Sequence, residues 1–149
     1  MLTIKTILVP VDFEEASDRA VQAAVDLAKM FGAKVLLLHA YELPFYPYPG
    51  ASPTGGSDLP RAIRDAATAG LDGIIARIKG AVPVCEGMLR AGPPADEILA
   101  AAKEMHVDLI VMGTHGRKGI AHALLGSIAE KVLRRAELPV LTVHATKTI

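Results

Sequence analysis

Thr6-Ile7-Leu8-Val9-Pro10-Val11 is short, almost continuously apolar and rich in β-branched residues, and Asp12 follows it directly. A run with no polar alternation reads as a strand buried on both faces, the signature of a parallel sheet covered by helices. From about Ser17 to Phe31, Ala20, Ala23, Ala24, Leu27, Ala28 and Phe31 recur at spacings of three and four, which predicts a helix with these residues inward and Gly32 as its C-cap. Lys34 to Ala40 repeats the buried-strand pattern, and Asp108 to Met112 and Pro139 to His144 repeat it again. Between them lie a helix at about Asp58 to Lys79, a strand at Val84 to Leu89 interrupted by Gly87, and a Gly92-Pro93-Pro94 turn. Further helices are expected at Ala95 to Met105 and Ser127 to Arg135. Strands alternate with helices throughout, so the fold class is α/β. With right-handed crossovers the expected arrangement is a doubly wound, Rossmann-like, five-stranded parallel sheet of order 3-2-1-4-5. Residues 1–149 read as a single domain. Tyr41 to Ser57, with four prolines, is the long irregular stretch, either a mobile lid or partner-contact loop or a plain surface excursion.

Composition excludes several functions. The chain has 149 residues, 51% hydrophobic and 21% charged, enough to bury about two thirds of its unfolded surface without a metal or disulfide. Sixteen basic and sixteen acidic residues give no net charge, which argues against a nucleic-acid partner held by phosphate contacts. The single cysteine, Cys85, can form neither an internal disulfide nor a cysteine-rich zinc site, and its apolar neighbours predict a buried small hydrophobe rather than a reactive thiol. No apolar run reaches the ~20 residues of a membrane span, and no signal peptide is apparent, so no membrane association and a cytoplasmic location are expected. His39, His106, His115, His122 and His144 show no metal-binding spacing.

In a sheet of this order, ligands bind outside the strands' carboxyl ends where the order reverses, here after the first and fourth strands. Both places carry unusual residues. Asp12 follows Pro10 and Val11, either to contact a ligand or only to start the helix. After the fourth strand, Met112 leads into Gly113-Thr114-His115-Gly116-Arg117-Lys118-Gly119 and then Gly126-Ser127-Ile128. The glycines allow close approach of backbone to a ligand. Ser127-x-x-Glu130 reads as a capping box with Ser127 capping the last helix, whose free N–H groups and positive dipole end suit an anion. Arg117 and Lys118 add charge, and His115 is either a hydrogen-bond donor or a simple loop residue. Together they predict a phosphate cradle. The P-loop, the Gly-x-Gly-x-x-Gly fingerprint after the first strand and the Gly-x-Ser-x-Gly elbow are all absent.

These residues resemble the universal stress protein family. The matching segments are Ile7 to Asp12, Gly113 to Arg117, Leu125 to Ser127, and Ala129 to Leu133 with Leu138 to Leu141. The spacing Gly113-x2-Gly116-x9-Gly126-Ser127 is similar to that of the family's ATP-binding branch. The resemblance implies that Val11, Asp12 and Ala40 meet adenine and that Met112 and Gly113 line the nucleoside. Gly116, Gly126, Ser127 and Ile128 would hold ribose and phosphates, with Mg²⁺ or Mn²⁺ carried mainly by the phosphates. Ala40 stands where the family often has valine, which costs about 1–1.5 kcal/mol of contact on the base. The resemblance also implies a homodimer through residues 139–144. A binding module that signals in the stress response is the leading expectation. A slow ATPase using His115 or an unplaced carboxylate to orient water, or an ATP-independent interaction protein, are the alternatives.

Overall fold

The computed structural model describes residues 1–43, 59–114 and 125–145. The elements run β1 (Thr6–Pro10), α1 (Glu15–Phe31), β2 (Lys34–Tyr41), α2 (Leu59–Ile78), β3 (Cys85–Ala91), α3 (Pro94–Glu104), β4 (Leu109–Gly113), α4 (Ser127–Arg135) and β5 (Val140–Val143). The five strands form one sheet of order β3-β2-β1-β4-β5, and every pairing is parallel. This is the α/β, doubly wound arrangement that the strand–helix alternation predicts.

The double burial of the strands divides the core in two. Ile7, Val9, Val35, Leu37 and Val111 point to one face, against Ala20, Ala24 and Val25 of α1 and Leu71 and Ile74 of α2. Leu8, Leu36, Leu38, Ile110 and Met112 point to the other, against Ile98 and Ala101 of α3 and Ala129 and Val132 of α4. Alternate residues of one strand therefore serve opposite layers, as the period-two geometry of a strand requires.

Several boundaries differ from the sequence reading. Phe31 does not face inward: it is 49% exposed, while Val21 and Val25 are buried, so the inner face of α1 is turned toward its valines. Gly32 does cap α1, at φ +67°. Tyr41 belongs to β2 rather than to the irregular stretch, most of which lies outside the described residues. Gly87 does not interrupt β3; it pairs with Leu37, and a Cβ there would stand 3.0 Å from Ile75 of α2. Cys85 begins an edge strand and is only partly buried, although that burial, with Glu86 beside it, pushes its thiol pKa up. Among the described residues, no helix is long and apolar enough to cross a membrane.

Candidate functional site

Asp12 leaves the end of β1 on a short turn. Its backbone N–H donates to Ser17 Oγ at 3.3 Å, and its Oδ1 accepts the N–H of Glu14 at 2.9 Å, one residue before α1 begins. This is an Asx turn, in which a short carboxylate replaces a backbone acceptor. Asp12 therefore does help to start the helix. It also remains exposed and borders the cavity described next.

The end of β4 is fixed more tightly. Gly113 passes so close to α1 that a Cβ on it would lie 2.8 Å from the carbonyl carbon of Ala16. One glycine of the loop is thus required by helix–strand packing. Thr114, only 1% exposed, is the junction that follows. Its N–H donates to Val143 O of β5 at 3.0 Å, and its carbonyl accepts the N–H of Gly126 at 2.6 Å. Its hydroxyl lies 3.2 Å from His144 Nδ1. The two ends of the glycine-rich segment are therefore held together at the mouth of the sheet.

Helix α4 begins there, but Ser127 is not its cap. Gly126 occupies the N-cap position with extended backbone, φ −63° and ψ 154°, and no side chain caps the helix. Ser127 is the first helical residue. The capping box fails by register: the Glu130 N–H donates to Gly126 O at 2.9 Å, which makes Gly126 the cap and puts Ser127 and Glu130 one position too far into the helix, where Glu130 pairs with Arg134. The exposed Ser127 hydroxyl has no hydrogen-bond partner among the described residues. The first N–H groups of α4 have no acceptor within the helix, as at any helix start.

Between these elements lies a cavity of about 440 Å³, within the range of small-molecule sites. Its walls include Pro10, Val11 and Asp12 from β1 and its turn, and Ala40 from β2. Met112 and Gly113 of β4, and Gly126, Ser127 and Ile128 at the start of α4, complete the predicted set that the fold brings together. The remaining predicted residues, His115, Gly116 and Arg117, lie outside the described residues, as does Lys118. The cavity opens at the carboxyl ends of β1 and β4, where the strand order reverses. One wall is apolar; the other is a helix start with spare donors.

Six lining residues lie outside the predicted set: Ser17, Leu38, Pro94, Ile98, Thr114 and Ala129. Leu38 pairs with Pro10 in the sheet, a register that no local pattern specifies. Pro94 and Ile98 arrive because α3 starts directly after β3 at the same rim; the Gly92-Pro93-Pro94 turn was the available signal. Helix α3 is tied down beside β3 by Arg90, which reaches Glu97 at 3.7 Å and pairs with Glu104. The guanidinium holds the Glu104 carboxyl below its ordinary range. Among the described residues, no three His, Cys, Asp or Glu side chains gather as a metal site would need.

Comparison with known proteins follows the same outline. The model of the universal stress protein family matches residues 3–144. A universal stress protein of Methanocaldococcus jannaschii is 34% identical over 146 residues, covering 96% of this chain and 84% of its own. The solved structure of another protein of that organism superposes with a TM-score of 0.83 at 25% identity, covering 98% of this chain and 99% of the other. A universal stress protein solved in complex with cAMP superposes with a TM-score of 0.70 at 30% identity, covering 97% of this chain and 99% of the other.

Proposed function

The chain belongs to the universal stress protein family, and we propose that it is a binding module for adenine nucleotides, with ATP accompanied by Mg²⁺ or Mn²⁺ as its ligand. The observation that carries this reading is the two-sided cavity at the switch point, apolar toward β1, β2 and α3 and donor-rich at the start of α4. A planar base suits the first side and phosphates suit the second. The cAMP complex of a relative 30% identical to this chain supports the ligand class.

In this reading Val11, Asp12 and Ala40 receive the base, while Met112 and Gly113 line the nucleoside. Gly126, Ser127 and Ile128 hold ribose and phosphates with backbone N–H groups and the unpartnered Ser127 hydroxyl. His115, Gly116 and Arg117, within the segment whose ends Thr114 and Gly126 join, complete the phosphate side. The bound nucleotide would itself supply the oxygens that hold the metal. Asp12 is the one carboxylate among the described lining residues, and its Oδ1 is engaged by the Glu14 N–H. That supports holding a nucleotide rather than turning it over. Occupancy would then regulate contacts with other molecules during stress, foremost those of a homodimer formed through the β5 edge.

The test is a calorimetric titration of ATP with Mg²⁺ into the wild-type chain and into Gly126→Val. The backbone of Gly126 is in a region open to any residue, so the valine obstructs the approach of a phosphate without straining the chain. Binding by the wild type that is lost in the folded variant is the expected outcome. Equal binding by both would remove the phosphate role of the α4 start, and binding by neither would overturn the reading.

A further inference from the structure

Phe13, directly after Asp12, has φ +66°. A bulky side chain rarely adopts this left-handed conformation, and it persists only where the surroundings impose it. Here they do. The Phe13 ring packs on the His39 ring with centroids 4.6 Å apart and planes tilted by 36°. His39 Nδ1 lies 2.8 Å from the carbonyl oxygen of Val11; a carbonyl can only accept, so Nδ1 carries the proton and donates. On its other side the ring fills a notch in α2 at Gly70, where a Cβ would stand 2.6 Å from Phe13 Cε1. Two elements, β2 through His39 and α2 at Gly70, thus hold the turn from the α1/α2 side of the sheet, while Asp12 borders the cavity.

We infer that Phe13 is a positioning residue: its ring, seated between His39 and the Gly70 notch, locks the residue 11–14 turn in the form that presents the Asp12 carboxylate to the ligand. The inference rests on the nucleotide-binding reading and deepens it, because it names what determines the placement of the base-side carboxylate. It also accounts for a glycine in the middle of α2, where helix propensity alone disfavours one.

The experiment is a titration of ATP with Mg²⁺ into the full chain as wild type, Phe13→Ala, Asp12→Asn and the double variant. Asparagine keeps the acceptor for the Glu14 N–H and removes the charge. Phe13→Ala is expected to weaken binding about tenfold, the size of one coupled contact, and to cost nothing further in the Asp12→Asn background. Gly70→Ala puts a methyl group where the ring stands while favouring the helix. It should weaken binding with no fall in thermal midpoint, a combination that a merely structural role does not produce. If Phe13→Ala does not fold, Phe13→Gly, which accepts the left-handed backbone without strain, takes its place. Wild-type affinity in Phe13→Ala, or the same loss with and without the Asp12 carboxylate, overturns the inference alone. A wild-type chain that takes up no adenine nucleotide overturns the nucleotide reading and this inference together.

Discussion

Gly113 answers to the packing of the fold before it answers to any ligand. The atoms that a Cβ would meet are the carbonyl carbon, carbonyl oxygen and Cβ of Ala16 in α1, none of which can rotate away as a longer side chain can. Gly113→Ala should therefore destabilise the protein by about 1–3 kcal/mol, the usual cost of overpacking. Urea denaturation should show a lower midpoint at unchanged slope, and an unchanged midpoint would mean that α1 can withdraw from β4. Ala40 presents the opposite case. It lines a cavity with room to spare, and Ala40→Val adds two carbons to the surface proposed to meet adenine. At about 0.8 kcal/mol for each buried carbon, the dissociation constant for ATP should fall up to roughly tenfold in the same calorimetric titration. A weaker complex would show that the base does not pack on residue 40.

At the scale of elements, the start of α4 is set by backbone hydrogen bonding at Gly126, and α3 is anchored by charged side chains. Ser127-x-x-Glu130 has the letters of a capping box, yet the backbone bond from Glu130 N–H to Gly126 O makes Gly126 the cap and shifts the box out of register. On α3, Arg90 binds Glu104 and lowers its carboxyl pKa from the ordinary 4.5. A depressed carboxyl favours the folded state above the ordinary carboxylate range, and that advantage is lost as pH falls through the folded value. Stability of the wild type should therefore decline more steeply below about pH 4.5 than that of Glu104→Gln, as followed by denaturation midpoints across the acid range. Parallel curves would show the pair to be thermodynamically silent, as many exposed ion pairs are. The helices themselves were legible in their spacing. The exact inner face of α1 was not, because alanines fit either side of a helix, and it is the packing of Val21 and Val25 on the sheet that chooses.

Across the whole molecule, the sheet has two edges, β3 and β5. The β5 edge carries Leu141, 41% exposed, on a short apolar strand that among the described residues pairs on one side only. Unprotected edges of this kind invite a second strand. For the proposed dimer, Leu141→Lys should shift the chain toward monomer in sedimentation analysis without changing its far-ultraviolet circular dichroism. A dimer that survives the substitution would place the interface elsewhere. Thr114 lies between this edge and the cavity, joined to Val143 on one side and Gly126 on the other, so a buried residue links the proposed ligand site to the strand of the proposed interface.

The sequence by itself determined the strand order, the switch point and nine residues of the cavity wall. The order, the switch point and the glycines follow from local patterns: apolar runs of strand length, helical periodicity, a glycine spacing, and the rule that parallel strands cross over with one hand; Ala40 and Ile128 entered only through the family resemblance. What only the tertiary structure decided are the contacts between residues distant in the chain. Phe13 meeting His39 and Gly70, Gly113 passing Ala16, Leu38 beside Pro10, and Thr114 bridging β5 and α4 have no periodic trace. Their physical reason is steric and geometric fit, which exists only once sheet and helices have packed.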